Sequence, residues 1–222
     1  MPASGDYKPA LRFAALTSLF DPVVAAMSRE QAFKRLAIEH AAIQAGDTVL
    51  DLGCGTGTLA IMAHADQPAA AYTGLDADPS ILERARAKAD AANAPVTFTD
   101  GLADELPYDQ ASFDVVVTTL FFHHLDDPTK RATATEILRV LKPGGRLVVA
   151  DFGRPHDPLM RLAVGATVQL LDGRATTSLN VAGRLPGLLR DAGLEPVEIA
   201  DRLRSPTGTI DILVAQNPAA AI

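Results

Sequence analysis

Three glycines at alternate positions, Gly53, Gly55 and Gly57, follow directly on a short apolar run over residues 48–52 and lead into a helical pattern over 59–65. Such a stretch reads as a buried strand turning sharply into a helix. Gly53 and Gly55 allow the turn and let the backbone approach a ligand that any Cβ would push away. The rest of the chain repeats the theme. Apolar runs recur at 71–75, 96–99, 113–118 and 146–150. Helical patterns recur at 79–92 and 128–141, the second stopped by Lys142-Pro-Gly-Gly145. Pro79 suits a first helical turn, and Asp78 is placed to cap it. Runs apolar on both faces and separated by helices specify a parallel sheet covered on both sides.

The C-terminal part differs. A helix over 182–192 ends at Gly193, and two strands, 196–200 and 209–215, flank a Ser205-Pro-Thr-Gly208 turn. Strands so closely joined are antiparallel, because a parallel crossover needs a dozen or more residues. The expected fold is α/β: a doubly wound, mostly parallel, seven-stranded Rossmann-like sheet closed by a C-terminal antiparallel hairpin. At 222 residues the chain suits one domain. Within it we expect an N-terminal helical lid (1–45), a cofactor core (46–151), a substrate-lid insertion (152–181) and the last helix with its hairpin (182–222). Both lid segments should cover the carboxyl edge of the sheet, where open α/β folds bind ligands.

Composition removes several classes of function. A single cysteine excludes a disulfide framework and a Cys-rich zinc site, and fits a reducing compartment, hence the cytoplasm. The net charge of −7, with basic residues spread along the chain, speaks against a nucleic-acid partner. Charges and prolines interrupt every hydrophobic run, so no integral membrane association is expected. No His/Asp/Glu cluster has metal-ligand spacing, so no metal is expected.

The acidic neighbours of the loop narrow its ligand. Asp76 ends the second strand 19 residues after Gly57, where a carboxylate can accept both ribose hydroxyls of a nucleoside. The spacing Gly53-x-Gly55-x-Gly57 departs from the Gly-x-Gly-x-x-Gly of dinucleotide sites. Asp51 puts negative charge where a pyrophosphate would lie, which favours a cationic group such as an amino-acid ammonium. An NAD(P)-dependent oxidoreductase stays open as the alternative, but the residues point to S-adenosylmethionine.

Four stretches carry a more specific resemblance: Val49-Leu-Asp-Leu-Gly-Cys-Gly-Thr-Gly57, Gly74-Leu-Asp-Ala-Asp78, Leu106-Pro-Tyr-Asp-Gln-Ala-Ser-Phe-Asp-Val-Val-Val117 and Glu136-Ile-Leu-Arg-Val-Leu-Lys-Pro-Gly-Gly-Arg-Leu-Val-Val149. In order and spacing they resemble the motifs of class I S-adenosylmethionine-dependent methyltransferases. Within that family the chain is similar to the small-molecule branch that includes the ubiquinone/menaquinone-biosynthesis enzymes. The resemblance covers about residues 45–151. It implies that Gly53, Gly55 and Gly57 wrap the methionine end of the cofactor, that Asp51 meets its amino group, and that Asp76 holds the ribose with Ala77 against the adenine. Many relatives have an Asp where this chain has Leu102. Its contact to the adenine amino group therefore passes to Asp100 or Asp104 or is absent, and only the backbone of Ala103 carries over. Thr119 and Leu120 should border the sulfonium.

Methyl transfer from a sulfonium is an in-line displacement with an activated leaving group, so the protein supplies alignment and exclusion of water. A base is needed only where the acceptor must lose a proton. The catalytic candidates are His123, His124 and Asp151, with Tyr7 and His156 as further titratable groups. By resemblance His124 is the more structural of the pair. Asp151 could instead cap a loop, and His64 should be structural. Cys54 is not expected to act as a nucleophile. The acceptor is expected to be small and apolar or aromatic, because residues 159–171 and Leu11, Phe13, Leu16, Leu19 and Phe20 offer apolar faces; packing on the core is the plainer use of both. Arg154, Arg161 and Arg174 could meet an anionic acceptor. A homodimer is compatible with these features. A non-catalytic sensor or scaffold that keeps the cofactor-binding fold is the second alternative.

Overall fold

In the computed structural model, which describes residues 30–166 and 174–219, each apolar run becomes a strand of one sheet. β1 (Thr48–Leu52), β2 (Ala71–Asp76), β3 (Val96–Asp100), β4 (Phe113–Thr119) and β5 (Leu141–Phe152) are joined by parallel ladders. β6 (Val197–Ser205) and β7 (Gly208–Gln216) complete the order β3-β2-β1-β4-β5-β7-β6. β7 is antiparallel to both neighbours, so it is the second strand of the hairpin that joins the sheet and β6 that forms the edge.

Helices cover both faces. α1 (Glu30–Ala41) and α2 (Thr58–Asp66) lie on one. α4 (Asp127–Val140) and α7 (Leu185–Asp191) lie on the other. α3 (Pro79–Ala91) packs by β2 and β3. Strand parity assigns the faces: Val49, Val115, Val117 and Val148 point to α1 and α2, whereas Leu50, Leu52, Val116, Leu147 and Val149 point to α4 and α7. Each fully buried leucine contributes ~1.5–3 kcal/mol. Asp78 does cap α3, accepting from the Ser80 amide at 2.9 Å, with Pro79 in the first turn. Asp126 caps α4 through the Thr129 amide at 2.9 Å.

The departures from expectation have local causes. β5 starts at Leu141, ahead of the Pro-Gly-Gly stop, because Leu141 already pairs with Phe113 across a bulge. The last helix begins at Leu185 rather than 182. Gly183, at φ +71, separates it from α6 (Arg174–Val181). α5 (Pro158–Ala166) packs against β7, and α6 against the turn that follows β4. The expected apolar face at Leu11–Phe20, Tyr7, and residues 167–171 of the second apolar segment lie outside the described residues. Among the described residues no helix is long and apolar enough to cross a membrane.

Candidate functional site

The glycine loop leaves β1 at the carboxyl edge of the sheet. The amides of Gly53 and Cys54 both donate to the Leu75 carbonyl, at 2.8 and 3.0 Å, which fastens the loop to the end of β2. All three glycines have positive φ: +69 at Gly53, +52 at Gly55 and +71 at Gly57. Their surroundings differ. A Cβ on Gly53 would run into the Phe121 ring, and one on Gly57 into the Phe98 ring. A Cβ on Gly55 would meet nothing within 4 Å. Two of the glycines thus make room for aromatic packing, and Gly55 is the one whose missing side chain leaves space above the loop. Cys54 is buried against Gly74. Burial, with the Asp51 and Asp76 carboxylates close by, pushes its thiol far up, so it stays neutral.

Asp76 spans the loop. Oδ2 accepts from the Gly55 amide at 2.8 Å and Oδ1 from the Asp78 amide at 3.1 Å. Each oxygen keeps a second lone pair for an outside donor such as a ribose hydroxyl. Burial raises its pKa, against the pull of those amides. Asp51 is 2% exposed and accepts one long bond, 3.3 Å, from the Ala60 amide in the first turn of α2. Burial raises its pKa to about 7, opposed by the charge of Lys34 and the Ala60 amide and reinforced by Asp76. A buried carboxylate so poorly satisfied is a ready receptor for an ammonium. Open space at Gly55, lone pairs at Asp76 and the strained carboxylate at Asp51 fit the nucleoside and amino-acid ends of S-adenosylmethionine.

Ala77 is half-buried beside Asp76, whereas Leu102 is 49% exposed just beyond β3 and Ala103 is buried in the core. The Ala103 side chain therefore packs inward, and only its backbone can face a ligand. Thr119 ends β4, and Leu120 follows with φ +49, a strained conformation for a leucine. That kink starts a 3-10 turn, Phe122–His124.

Asp151 and His123 meet here, although 28 positions apart. His123 Nδ1 lies 2.8 Å from Asp151 Oδ1, and both side chains are almost fully buried, at 4% and 2% exposure. Asp151 Oδ2 also accepts from the Phe121 and His123 amides, at 3.1 and 3.3 Å, and Oδ1 from the Phe152 amide at 2.6 Å. Burial alone would raise Asp151, yet the His123 charge and hydrogen bond outweigh it, so its pKa is lowered. Asp151 is therefore an acceptor. His123 donates to it from Nδ1, and in the neutral imidazole that arrangement leaves the lone pair on Nε2. Asp151 itself works as a positioning group that caps the turn and aims the imidazole. The His124 ring lies tilted by 42° against His123 with ring centroids 4.0 Å apart, and Phe152 meets His123 edge-on at 4.8 Å.

The other titratable candidates lie elsewhere. His64 packs edge-on against Tyr72, and His156 bonds Thr209 Oγ1 at 2.9 Å ahead of α5. Among the described residues no group of three His, Cys, Asp or Glu side chains could hold a metal. Sequence reasoning missed Phe121, which links the histidine turn to the glycine loop; its sole signal is an aromatic residue directly after β4. It also missed Asn180, a fully buried side chain on α6 that lines a small cavity with Asp151 and Asp211 and whose amide finds no partner among the described residues.

Comparisons with known proteins give the family that the chain resembles. Residues 49–145 match a family described as a methyltransferase domain. A demethylmenaquinone methyltransferase of Thermus thermophilus is 39% identical over 123 residues, 55% of this chain and 55% of that protein. A 27-O-demethylrifamycin SV methyltransferase of Amycolatopsis mediterranei is 36% identical over 162 residues, 72% of this chain and 58% of that protein. A SAM-dependent methyltransferase from Methanosarcina mazei superposes with a TM-score of 0.66 at 23% identity, over 82% of this chain and 97% of that one, a likeness of fold. The chain spans 47–61% of the lengths of curated relatives that it matches.

Proposed function

We propose that this chain, whose residues 49–145 match a methyltransferase domain, transfers the methyl group of S-adenosylmethionine by in-line displacement to a hydroxyl of a small apolar or aromatic acceptor. When bound, the cofactor supplies a methyl carbon on a positively charged sulfur that leaves without acid assistance. Asp51 takes the ammonium of the methionyl end, Asp76 the ribose hydroxyls, and the backbone at Gly55 lets the chain between them pass. Ala77 and the rim at Leu102 and Ala103 border the adenine. Thr119 and Leu120 flank the reacting sulfur.

The observation that carries the acceptor assignment is the buried Asp151–His123 pair beside the loop. A bare nucleophile such as an enolate carbon or a free amine needs no base, whereas a hydroxyl must lose its proton as the bond to carbon forms. His123, held by Asp151, receives that proton at Nε2. His124 packs against it. α5 (Pro158–Ala166) and α6 (Arg174–Val181) belong to the lid that excludes water from the reaction. The name of the Amycolatopsis relative, a 27-O-demethylrifamycin SV methyltransferase, supports this reading. The acidic chain acts on a small molecule rather than a nucleic acid, and its single cysteine suits the cytoplasm.

The test is a labelled-methyl screen over phenols, quinols, amines and carboxylic acids. Label in the hydroxyl acceptors is expected. Label in amines alone would overturn the acceptor assignment. Calorimetric binding of NADH without binding of S-adenosylmethionine would overturn the methyltransferase itself.

A further inference from the structure

Asp151 has a second buried carboxylate for a neighbour. The β5–β7 ladder sets Asp151 directly opposite Asp211, and the β6–β7 ladder sets Arg202 opposite Asp211 on its other side. Residues opposed in this way point to the same face. Here it is the face that α4 and α7 cover, because Val149 and Leu213, two positions along their strands, pack there. Asp151 is 2% exposed and Asp211 6%. Like charges directly opposite destabilise a sheet, so each carboxylate needs partners of its own.

The two are satisfied unequally. Asp151 accepts from His123 Nδ1 and from the amides of Phe121, His123 and Phe152, which fills the four lone-pair sites of a carboxylate. Among the described residues Asp211 accepts from Arg202 alone, at 2.6 Å on Oδ1 and a long 3.4 Å on Oδ2. Its carboxylate rests over Gly153, where a Cβ would run into both oxygens. Each oxygen of Asp211 therefore keeps a lone pair.

Asn180 carries the complementary lack. It is fully buried in the last turn of α6, and its backbone carbonyl accepts from the Gly183 amide at 2.8 Å. Neither polar atom of its side chain has a partner among the described residues. Asn180, Asp151, Gly153 and Asp211 line one cavity of about 10 Å³, room for a single water. An amide with unmade bonds and a half-used carboxylate thus face a space of water size, where leaving both unmet is costly.

We propose that one buried water accepts from the Asn180 side-chain amide and donates to the Asp211 carboxylate, which makes Asn180 a positioning residue for the Asp151–His123 pair. The bridge keeps Asp211 seated towards Arg202 and leaves Asp151 to the histidine. It also ties the last turn of α6 to the hairpin, as Lys130 ties its first turn through the Thr176 carbonyl. The positioning role rests on the reading that His123 takes the acceptor's proton; the water does not.

Asn180→Leu tests both, because it keeps the volume and removes both polar atoms. In a dry cavity the leucine would raise the thermal midpoint, since an unpaired buried amide has gone. With the water in place it should lower the midpoint by about 2–4 °C, the scale of one hydrogen bond in a chain of this length. A high-resolution crystal structure of the unmodified protein should show the water within hydrogen-bond reach of Asn180 and Asp211. A raised midpoint in Asn180→Leu, or a cavity without density, overturns the bridge. A midpoint that rises in potassium or ammonium chloride but not in choline chloride puts a cation there and overturns it too. On a hydroxyl acceptor, kcat of Asn180→Leu should fall while KM and the cofactor dissociation constant hold, and Asn180→Ser, which retains a hydroxyl donor, should recover much of it. An unchanged kcat with a lowered midpoint overturns the positioning role. An unmodified protein that methylates no hydroxyl acceptor overturns the base reading and with it that role, while the bridge is decided by the midpoint and the density.

Discussion

His123 donates from Nδ1 to Asp151 Oδ1 at 2.8 Å across 28 positions of sequence, and the same carboxylate accepts three backbone amides. One buried group therefore fixes the turn after β4, the tautomer of the histidine and the end of β5. Removing it affects chemistry and structure together, and the two effects separate by measurement.

His123→Ala should lower kcat by about 10²–10⁴, the usual weight of a positioned base, and leave the cofactor dissociation constant within a fewfold. Asp151→Asn should cost a comparable factor by releasing the imidazole. The double variant should be little worse than either single one, because the two act as a unit. Rate measurements across pH on a hydroxyl acceptor check this. A normal rate for His123→Ala at every pH makes the pair structural.

Asp151 also links stability to acid. Its folded pKa lies below the ordinary carboxylate value. Its contribution is thus complete above about pH 4, the unfolded value, and is lost as pH falls through the lower folded value. Acid unfolding followed by circular dichroism should be steeper below about pH 4 in the unmodified protein than in Asp151→Asn.

Asp51 behaves oppositely. Its folded pKa, raised to about 7, means that the free protein holds a proton the unfolded chain has released. Stability of the free protein should fall as pH rises from about 4 to 7 and level off above. A cationic ligand demands the carboxylate, with Lys34 and Asp76 as its charged neighbours. At pH 6 roughly nine-tenths of Asp51 is protonated. S-adenosylmethionine should therefore bind about tenfold more weakly at pH 6 than at pH 8, and at pH 6 its binding should release nearly one proton per site. Calorimetry in buffers of different ionisation enthalpy counts that proton, and Asp51→Asn should abolish it.

The legible parts of this molecule are those whose partners are close in sequence. The run 49–57 announces its strand, turn and helix because all three share one backbone path, and Pro79 after Asp78 announces a capped helix for the same reason. Parity along Val49–Leu52 and Val115–Val117 announces a sheet covered on both faces. The His123–Asp151 contact was not legible, since it depends on how β4 and β5 align. Phe121 against Gly53 needs the strained backbone at Leu120, which no pattern announces. The charge of Lys34 acting on Asp51 was not legible, because a helical pattern alone does not reveal a charged neighbour on β1.

Asp76→Ala should weaken S-adenosylmethionine by about 1–3 kcal/mol, the scale of hydrogen bonds to a charged acceptor. Because Asp76 also receives the Gly55 amide at 2.8 Å, part of that loss reflects a looser loop. 5′-Deoxyadenosine analogues lacking the ribose hydroxyls should lose affinity in the unmodified protein and little more in the variant. Equal losses in both would place the ribose elsewhere.

The glycines divide into two kinds, and alanine distinguishes them. Gly55→Ala meets open space but keeps φ +52, so its stability cost should be only the ~1–2 kcal/mol of a left-handed alanine. Its Cβ should nevertheless obstruct the cofactor and raise the dissociation constant by tenfold or more. Gly53→Ala adds a clash with Phe121 and should lower the thermal midpoint further, with activity lost through the displaced histidine turn.

Lys130 tests whether α6 is held in place by chemistry or by packing. Its side chain is fully buried, and Nζ donates to the Leu125 carbonyl at 2.8 Å and to the Thr176 carbonyl, so one ammonium joins the turn bearing His123 to α6. Burial lowers its pKa, with Asp127 and Asp151 opposing. Lys130→Met keeps the stem and removes both donors, leaving two carbonyls without their partner, at a cost of about 1–3 kcal/mol each where they stay buried. Proteolysis should then cut near residues 174–181 at a protease concentration that spares the unmodified chain, and kcat should fall while the cofactor dissociation constant holds. Unchanged proteolysis together with unchanged kcat would mean that apolar packing, chiefly Leu179 in the core, suffices to hold the helix.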